Sequence, residues 1–165
     1  EIGGEVRLKG TKPTGKLWTV QLDDPNTDGS RSAFKKLNLT NISMASSGNN
    51  RKFRIDKNGE KYVHTINPKT GYATESNLLA ATVIAELDCA DVDAYATAFM
   101  AMGFEKTKKF LQAKPSLKVV LIYVDENGKK ATKTYYIWRL ASVKLNGKWK
   151  EIVNKIINQK LELVY

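Results

Sequence analysis

The sequence predicts an α+β fold, a mixed or antiparallel sheet layered against helices. Three observations carry this. Short runs with apolar residues at alternate positions, bounded by Gly, Pro, Asn and Asp, fill the first 63 residues. One nearly continuous apolar run, Leu78 to Ala85, has the composition of a central strand buried on both faces. Two segments of helical period follow it, and then a further strand pair.

In order, Ile2-Gly3-Gly4-Glu5-Val6-Arg7-Leu8 opens with two glycines and continues as an alternating strand. Thr11 to Gly15 is a turn and Leu17 to Leu22 a second strand, so the opening is expected to be a β-hairpin. Asp23 to Ser30 is polar and turn-rich and belongs on the surface. Leu37 to Ala45 is expected to be a third strand, ending in the small, polar string Ser46-Ser47-Gly48-Asn49-Asn50-Arg51. Phe53 to Asp56 and Glu60 to Val63 flank Lys57-Asn58-Gly59, a tight hairpin signal. Ala90 to Met102 is the clearest helix: Asp88 or Asp91 can cap it, Val92, Ala96, Phe99 and Met100 recur at helical spacing, and Gly103 suits the C′ position. A second amphipathic helix, Phe104 to Lys114, stops before Pro115. Leu117 to Val124 and Thr132 to Trp138 are expected to pair across the Asp125 to Lys129 turn. Glu151 to Leu163 carries one more amphipathic helical pattern.

Composition narrows the classes. With 165 residues, one domain with a real core is expected. A hydrophobic fraction of 42% and a charged fraction of 27% belong to a globular chain rather than a disordered one. No apolar run approaches the roughly 18 residues of a membrane span. Cys89 is the single cysteine, which excludes an internal disulfide and a cysteine-rich metal site. The net charge is +10, and the stretch from Glu105 to Tyr165 holds 14 Lys/Arg against 5 Asp/Glu, so nearly all the excess lies in the last third. Those lysines are scattered along amphipathic elements rather than interleaved densely with aromatics. A solvated basic face is the expected reading, with an anionic ligand or a membrane surface as the lesser option, and no nucleic-acid partner is expected. The chain opens without an initiator methionine and is expected to be cut from something longer, so targeting signals upstream cannot be read.

Two motifs carry chemistry. His64-Thr65-Ile66-Asn67-Pro68-Lys69-Thr70-Gly71 holds the only histidine, at the end of a strand. Asn67 before Pro68 is pushed away from helical geometry, and Gly71 can take the positive φ of a tight turn. An imidazole on such a scaffold serves as a base or as a structural hydrogen-bonding group, and the residues alone leave both roles open. Within the clear helix, Asp93 and Thr97 stand at i and i+4 and share a face. A carboxylate and a hydroxyl together suit Mg²⁺ or Ca²⁺ better than Zn²⁺. The ordinary alternative is a helix-dipole aspartate beside a threonine that bonds its own backbone.

The Gly3-Gly4-Glu5 strand start, Ser46-Ser47-Gly48-Asn49, the His64 to Gly71 motif and Asp93-Ala94-Tyr95-Ala96-Thr97-Ala98 occur in order with suitable gaps. Together they resemble the FAD:protein FMN transferase family, called ApbE and formerly termed thiamine biosynthesis lipoproteins. The resemblance runs from residue 1 to about Tyr136 and covers the C-terminal half of the family, a T-fold-related architecture; residues 137–165 form a divergent basic tail, expected to pack on the same domain. It implies FAD as substrate and a divalent cation, Mg²⁺ with Ca²⁺ as the other hard-cation option. The implied reaction cleaves the FAD pyrophosphate, attaches FMN to a Thr or Ser of a target flavoprotein, and releases AMP. Implied partners are flavoprotein subunits of redox-driven ion pumps or related flavin carriers. The implied location is the bacterial cell envelope, on the outer side of the inner membrane, as a periplasmic lipoprotein whose signal is not in this chain. By the same resemblance His64 activates the acceptor hydroxyl, the backbone at Thr65 and Ile66 lies against the flavin nucleotide with Ser47 and Gly48 nearby, and Asp93 and Thr97 hold the metal. The alternative is an FAD-binding or FAD-hydrolysing module, or an inactive fragment lacking the upstream half of the site.

Overall fold

The computed structural model describes residues 1–25, 32–49, 53–55, 57, 61–74, 76–114 and 116–135. Five strands form one antiparallel sheet: β1 (Val6–Leu8), β4 (Ile42–Gly48), β7 (Leu78–Ala85), β8 (Lys118–Val124) and β9 (Lys130–Tyr135), in that order. Two hairpins stand apart from it, β2 (Trp18–Asp23) with β3 (Ala33–Leu39) and β5 (Phe53–Ile55) with β6 (Lys61–Val63). Helices α1 (Cys89–Met102) and α2 (Phe104–Ala113) follow the central strand β7. The expected α+β class with an antiparallel sheet and helices is the fold observed.

Both faces of the sheet are covered, which explains the apolar composition of β7. Residues alternate across a strand, and here the odd positions Ala81, Val83 and Ala85 pack with Val92, Ala96, Phe99 and Met100 of α1 and Leu111 of α2. The even position Ile84 joins Ile42, Met44, Val120 and Ile122 on the opposite face, where Leu22, Trp18, Val20, Leu37 and Leu39 of the β2–β3 hairpin cover them. The molecule therefore has three layers: helices, sheet and hairpin. Phe99, Tyr95 and Phe110 close the helical layer, with ring centroids 5.7 to 6.0 Å apart. Phe104 stacks on Tyr123 of β8 at 3.9 Å. At the rim of this layer, burial lifts the Tyr135 phenol above its usual pKa, with Glu105 and Tyr123 adding to the effect.

Two sequence expectations are corrected. The opening strands do not pair with each other: β1 pairs with β4 and β2 with β3. The expected strand from Leu37 to Ala45 is two strands in different layers, broken at Thr40-Asn41, where Asn41 takes φ 51°. A residue with a short polar side chain tolerates that left-handed conformation. Asn41 Oδ1 also accepts from the Gly10 N–H at 2.8 Å, which ties the break to the loop after β1. The apolar positions change parity there, from Leu37 and Leu39 to Ile42 and Met44, which is what a strand that changes layer requires. The helix expected over Glu151 to Leu163, and the whole tail from residue 136, lie outside the described residues.

Between the helices, Gly103 takes φ 75° and ψ 173°, its N–H donating to Phe99 O at 3.0 Å. That region is essentially restricted to glycine. A Cβ on Gly103 would also lie 3.2 Å from Ser76 Oγ. Gly103→Ala is expected to cost about 1–3 kcal/mol, read as a lowered thermal midpoint; an unchanged midpoint would show that the α1–α2 corner accepts other geometries.

Candidate functional site

The site is assembled at one end of the sheet, where β4 finishes and β7 begins. β4 runs through Ser46, Ser47 and Gly48, which pair with Thr82, Ala81 and Ala80 of β7. These residues are therefore ladder positions rather than the open loop that their composition suggests. Asn49 adds one further rung by donating its N–H to Leu79 O at 3.0 Å. Pairing of β4 with β1 stops at Met44, so among the described strands the last residues of β4 have a neighbour on one edge only.

Alternation along β4 then sorts the side chains. Ser46 bonds Thr82, its cross-strand partner, hydroxyl to hydroxyl at 2.8 Å. Ala45, one residue earlier, lies in the core beneath α1. Two residues on, Ser47 meets α1 itself, its Oγ 3.0 Å from Thr97 Oγ1. Two further on, the Asn49 Oδ1 accepts a hydrogen bond from Thr65 Oγ1 at 3.0 Å. Successive same-side positions along β4 and its extension thus touch the core, Thr97 of α1 and the histidine turn.

The histidine turn has the local structure that its residues predict. His64 follows β6 directly and is exposed. Thr74 N donates to Thr65 O at 2.9 Å, Ile66 and Ala73 form an antiparallel bridge, and Asn67 N donates to Tyr72 O at 2.9 Å. The Asn67 carbonyl accepts from Thr70 N and Gly71 N, and its side-chain oxygen accepts from Lys69 N. An Asn before Pro that caps its own turn, followed by Gly71 at φ 74°, gives a tight reversal with little freedom. Ile66 is half-exposed, and Tyr72 beside it is 78% exposed.

On α1, Val92, Ala96, Phe99 and Met100 are buried, and Asp93 and Thr97 lie one position along from the first two, at the rim of the buried stripe. Asp93 is half-buried and Thr97 is exposed. Asp91 occupies the first turn, whereas Asp93 lies beyond it, which weakens the helix-dipole explanation for Asp93 because that effect fades within the first turn. Asp88 caps the helix backbone without a side-chain bond.

Can these residues hold a divalent cation? Among the described residues no group of three or more His, Cys, Asp or Glu could do so alone. A carboxylate and a hydroxyl one helical turn apart do suit Mg²⁺, which keeps several waters and takes one or two protein oxygens beside substrate phosphate. The pair fits as part of a coordination sphere whose other positions go to water and phosphate oxygens. A cavity of about 270 Å³ lined by Ile42, Ala85, Leu87 and Lys118 lies at the opposite end of the sheet and takes no part in this arrangement.

Of the residues singled out from the sequence, Ser47, Thr65 and Thr97 are brought together by direct hydrogen bonds to the end of β4. Gly48 lies between the two contact points, and His64, Ile66 and Asp93 lie on the elements so joined. Asn49 is the residue that sequence reasoning missed. Its signal was the period of two that continues from Ala45 through Ser47.

Among solved structures, the fold of this chain is similar to that of flavin transferases. Over 81% of this chain, the fold matches an apo flavinyl transferase ApbE from Pseudomonas stutzeri (TM-score 0.64, 27% identity) and a flavin transferase ApbE from Vibrio cholerae (TM-score 0.66, 28% identity), spanning 40% of each. Among curated relatives, FAD:protein FMN transferase of Haemophilus influenzae is 37% identical over 128 residues, covering 78% of this chain and 36% of that protein. The Vibrio cholerae enzyme of the same name is 30% identical over 129 residues, covering 78% of this chain and 38% of that protein. Residues 1–121 match the ApbE family, and the chain belongs to it. It spans little more than a third of the length of the curated relatives it matches.

Proposed function

We propose that this chain supplies the acceptor-activating and metal-holding part of a flavin transferase, which cleaves FAD and attaches FMN through a phosphoester to a Thr or Ser of a flavoprotein. Membership of the ApbE family supports the flavin chemistry. The observation that carries the assignment to this site is the pair of hydrogen bonds, Ser47–Thr97 and Thr65–Asn49, that bring the α1 pair and the His64 turn to one strand end.

In this reading, His64 accepts the proton of the acceptor hydroxyl, a role suited to an imidazole. The freed oxygen attacks the FMN phosphorus and forms the new P–O bond. The P–O bond to the bridging oxygen breaks, and AMP departs with that oxygen and its electron pair. Asp93 and Thr97 hold a divalent cation, Mg²⁺ by preference, which when bound offsets the charge of the pyrophosphate. The rigid turn from Thr65 to Gly71 carries Ile66 and its backbone against the nucleotide, with Ser47 and Gly48 nearby. The acceptor belongs to the flavin-carrying subunits of redox-driven ion pumps or similar carriers. A lipid-anchored position on the outer side of the inner membrane belongs to the same proposal.

The test is direct. FAD with Mg²⁺ and a hydroxyl-bearing acceptor flavoprotein is expected to yield AMP and a flavin that stays with the acceptor through denaturation; chelation is expected to stop both. AMP without labelled acceptor would favour an FAD-hydrolysing module. FAD binding without AMP would favour a binding module.

A further inference from the structure

We propose that Asn49 is a positioning residue for His64, acting through Thr65; this rests on the flavin-transfer reading above. Asn49 is 9% exposed and follows the last ladder residue of β4. Its main chain is held by the sheet through the bond to Leu79 O. Its side-chain oxygen accepts a hydrogen bond from the hydroxyl of Thr65, sixteen positions further along the chain.

Thr65 is the residue after His64. Its carbonyl is held by Thr74 N and its hydroxyl by Asn49, so the backbone immediately after the histidine is gripped from two directions. A buried carboxamide that loses its partner bears a desolvation cost, which ties the turn to the sheet rather than merely allowing contact. The exposed imidazole is therefore placed by a bond originating on the same strand whose Ser47 contacts Thr97. A shift of about 1 Å between the base and the hydroxyl it deprotonates can cost on the order of a hundredfold in rate. Asn49 acts on rate by controlling that distance without touching substrate.

The experiment is a double-mutant cycle in the full protein, with Asn49→Ala, Thr65→Val and both together, and Thr65→Ser as the conservative variant. Each single change is expected to lower kcat for FMN transfer about tenfold with KM for FAD within about twofold. The double variant should be no slower than the slower single one, because both remove the same bond. Thr65→Ser should recover most of what Thr65→Val loses. Additive losses of about a hundredfold, or a change confined to KM, would overturn the assignment. A second readout needs no turnover: His64 is the only histidine of this chain, so its imidazole NMR signals are unambiguous. They should move in Asn49→Ala and in Thr65→Val and return toward the wild-type positions in Thr65→Ser. Imidazole signals identical in all variants would also overturn it. Should wild type show no transfer, the flavin-transfer reading fails while the NMR comparison still judges the positioning. If Asn49→Ala does not fold, the Thr65 pair decides.

Discussion

Asp93→Ala is expected to lower metal-dependent release of AMP from FAD by at least about a hundredfold while leaving the fold intact. The two halves of that expectation have separate physical grounds. A bound cation contributes several kcal/mol to a phosphoryl transition state, and about 1.4 kcal/mol corresponds to tenfold in rate. Losing the one carboxylate of the pair leaves Thr97 and its partner Ser47, neutral hydroxyls that bind a divalent cation weakly. The structural cost is small because Asp93 lies beyond the first helical turn and at the rim of the buried stripe. Alanine is also the better helix former there. The thermal midpoint should stay within a few degrees, and added Mg²⁺ should no longer restore activity lost to chelator. Undiminished AMP release in a folded Asp93→Ala protein would remove Asp93 from the metal role and return it to the helix surface.

What could be read from the sequence follows from the range of the interactions involved. β7 was legible because a strand covered on both faces needs apolar residues at nearly every position, and Leu78 to Ala85 supplies them at all but Thr82. The α1–α2 corner was legible because Gly103 is a local requirement: a backbone angle that other residues resist, next to an intact 3.6 period. The histidine turn was legible for the same reason, since Asn67, Pro68 and Gly71 decide it among themselves. Strand pairing was not. Alternation in β1 states which side is apolar but not which strand lies beside it, and its partner β4 is thirty-six residues away at Arg7↔Ser43. The hairpin expected between β1 and β2 satisfied every local rule and was still displaced by burial against the central sheet.

The site shows the same division. Asp93 and Thr97 were visible as a helix pair, and His64 as the single imidazole. The bonds that join the elements carrying them come from Ser47 and Asn49, whose string looks from composition like an ordinary turn. In the structure Ser47 is a ladder residue and Asn49 extends the ladder, so the hydroxyl and carboxamide have defined directions. Tertiary pairing turned a weak local signal into a scaffold. Ser47 remains adaptable in one respect: either it or Thr97 can be the donor of their shared bond. If a cation takes a lone pair of Thr97, the Thr97 proton goes to Ser47, and the bond then orients the ligand.

His64→Gly is expected to slow FMN transfer by a hundredfold or more while changing FAD affinity by less than about threefold. General base catalysis by a placed side chain is worth about 10²–10⁴ in rate. The imidazole is exposed, so its removal opens no cavity in either core cluster. The turn that carries Ile66 is held by main-chain bonds of Thr65, Asn67, Tyr72 and Thr74, so nucleotide contacts made by that turn should survive. Glycine at the strand end costs some backbone order, and His64→Gln provides the comparison: it keeps hydrogen-bonding capacity without a base. Both variants should bind FAD with Mg²⁺, and both should fail to label the acceptor at the wild-type rate. Hydrolysis of FAD by water should fall less than transfer to protein if the imidazole serves the acceptor hydroxyl specifically. An equal loss of binding and transfer in both variants would identify His64 as a structural hydrogen-bonding residue, leaving the acceptor proton to another group.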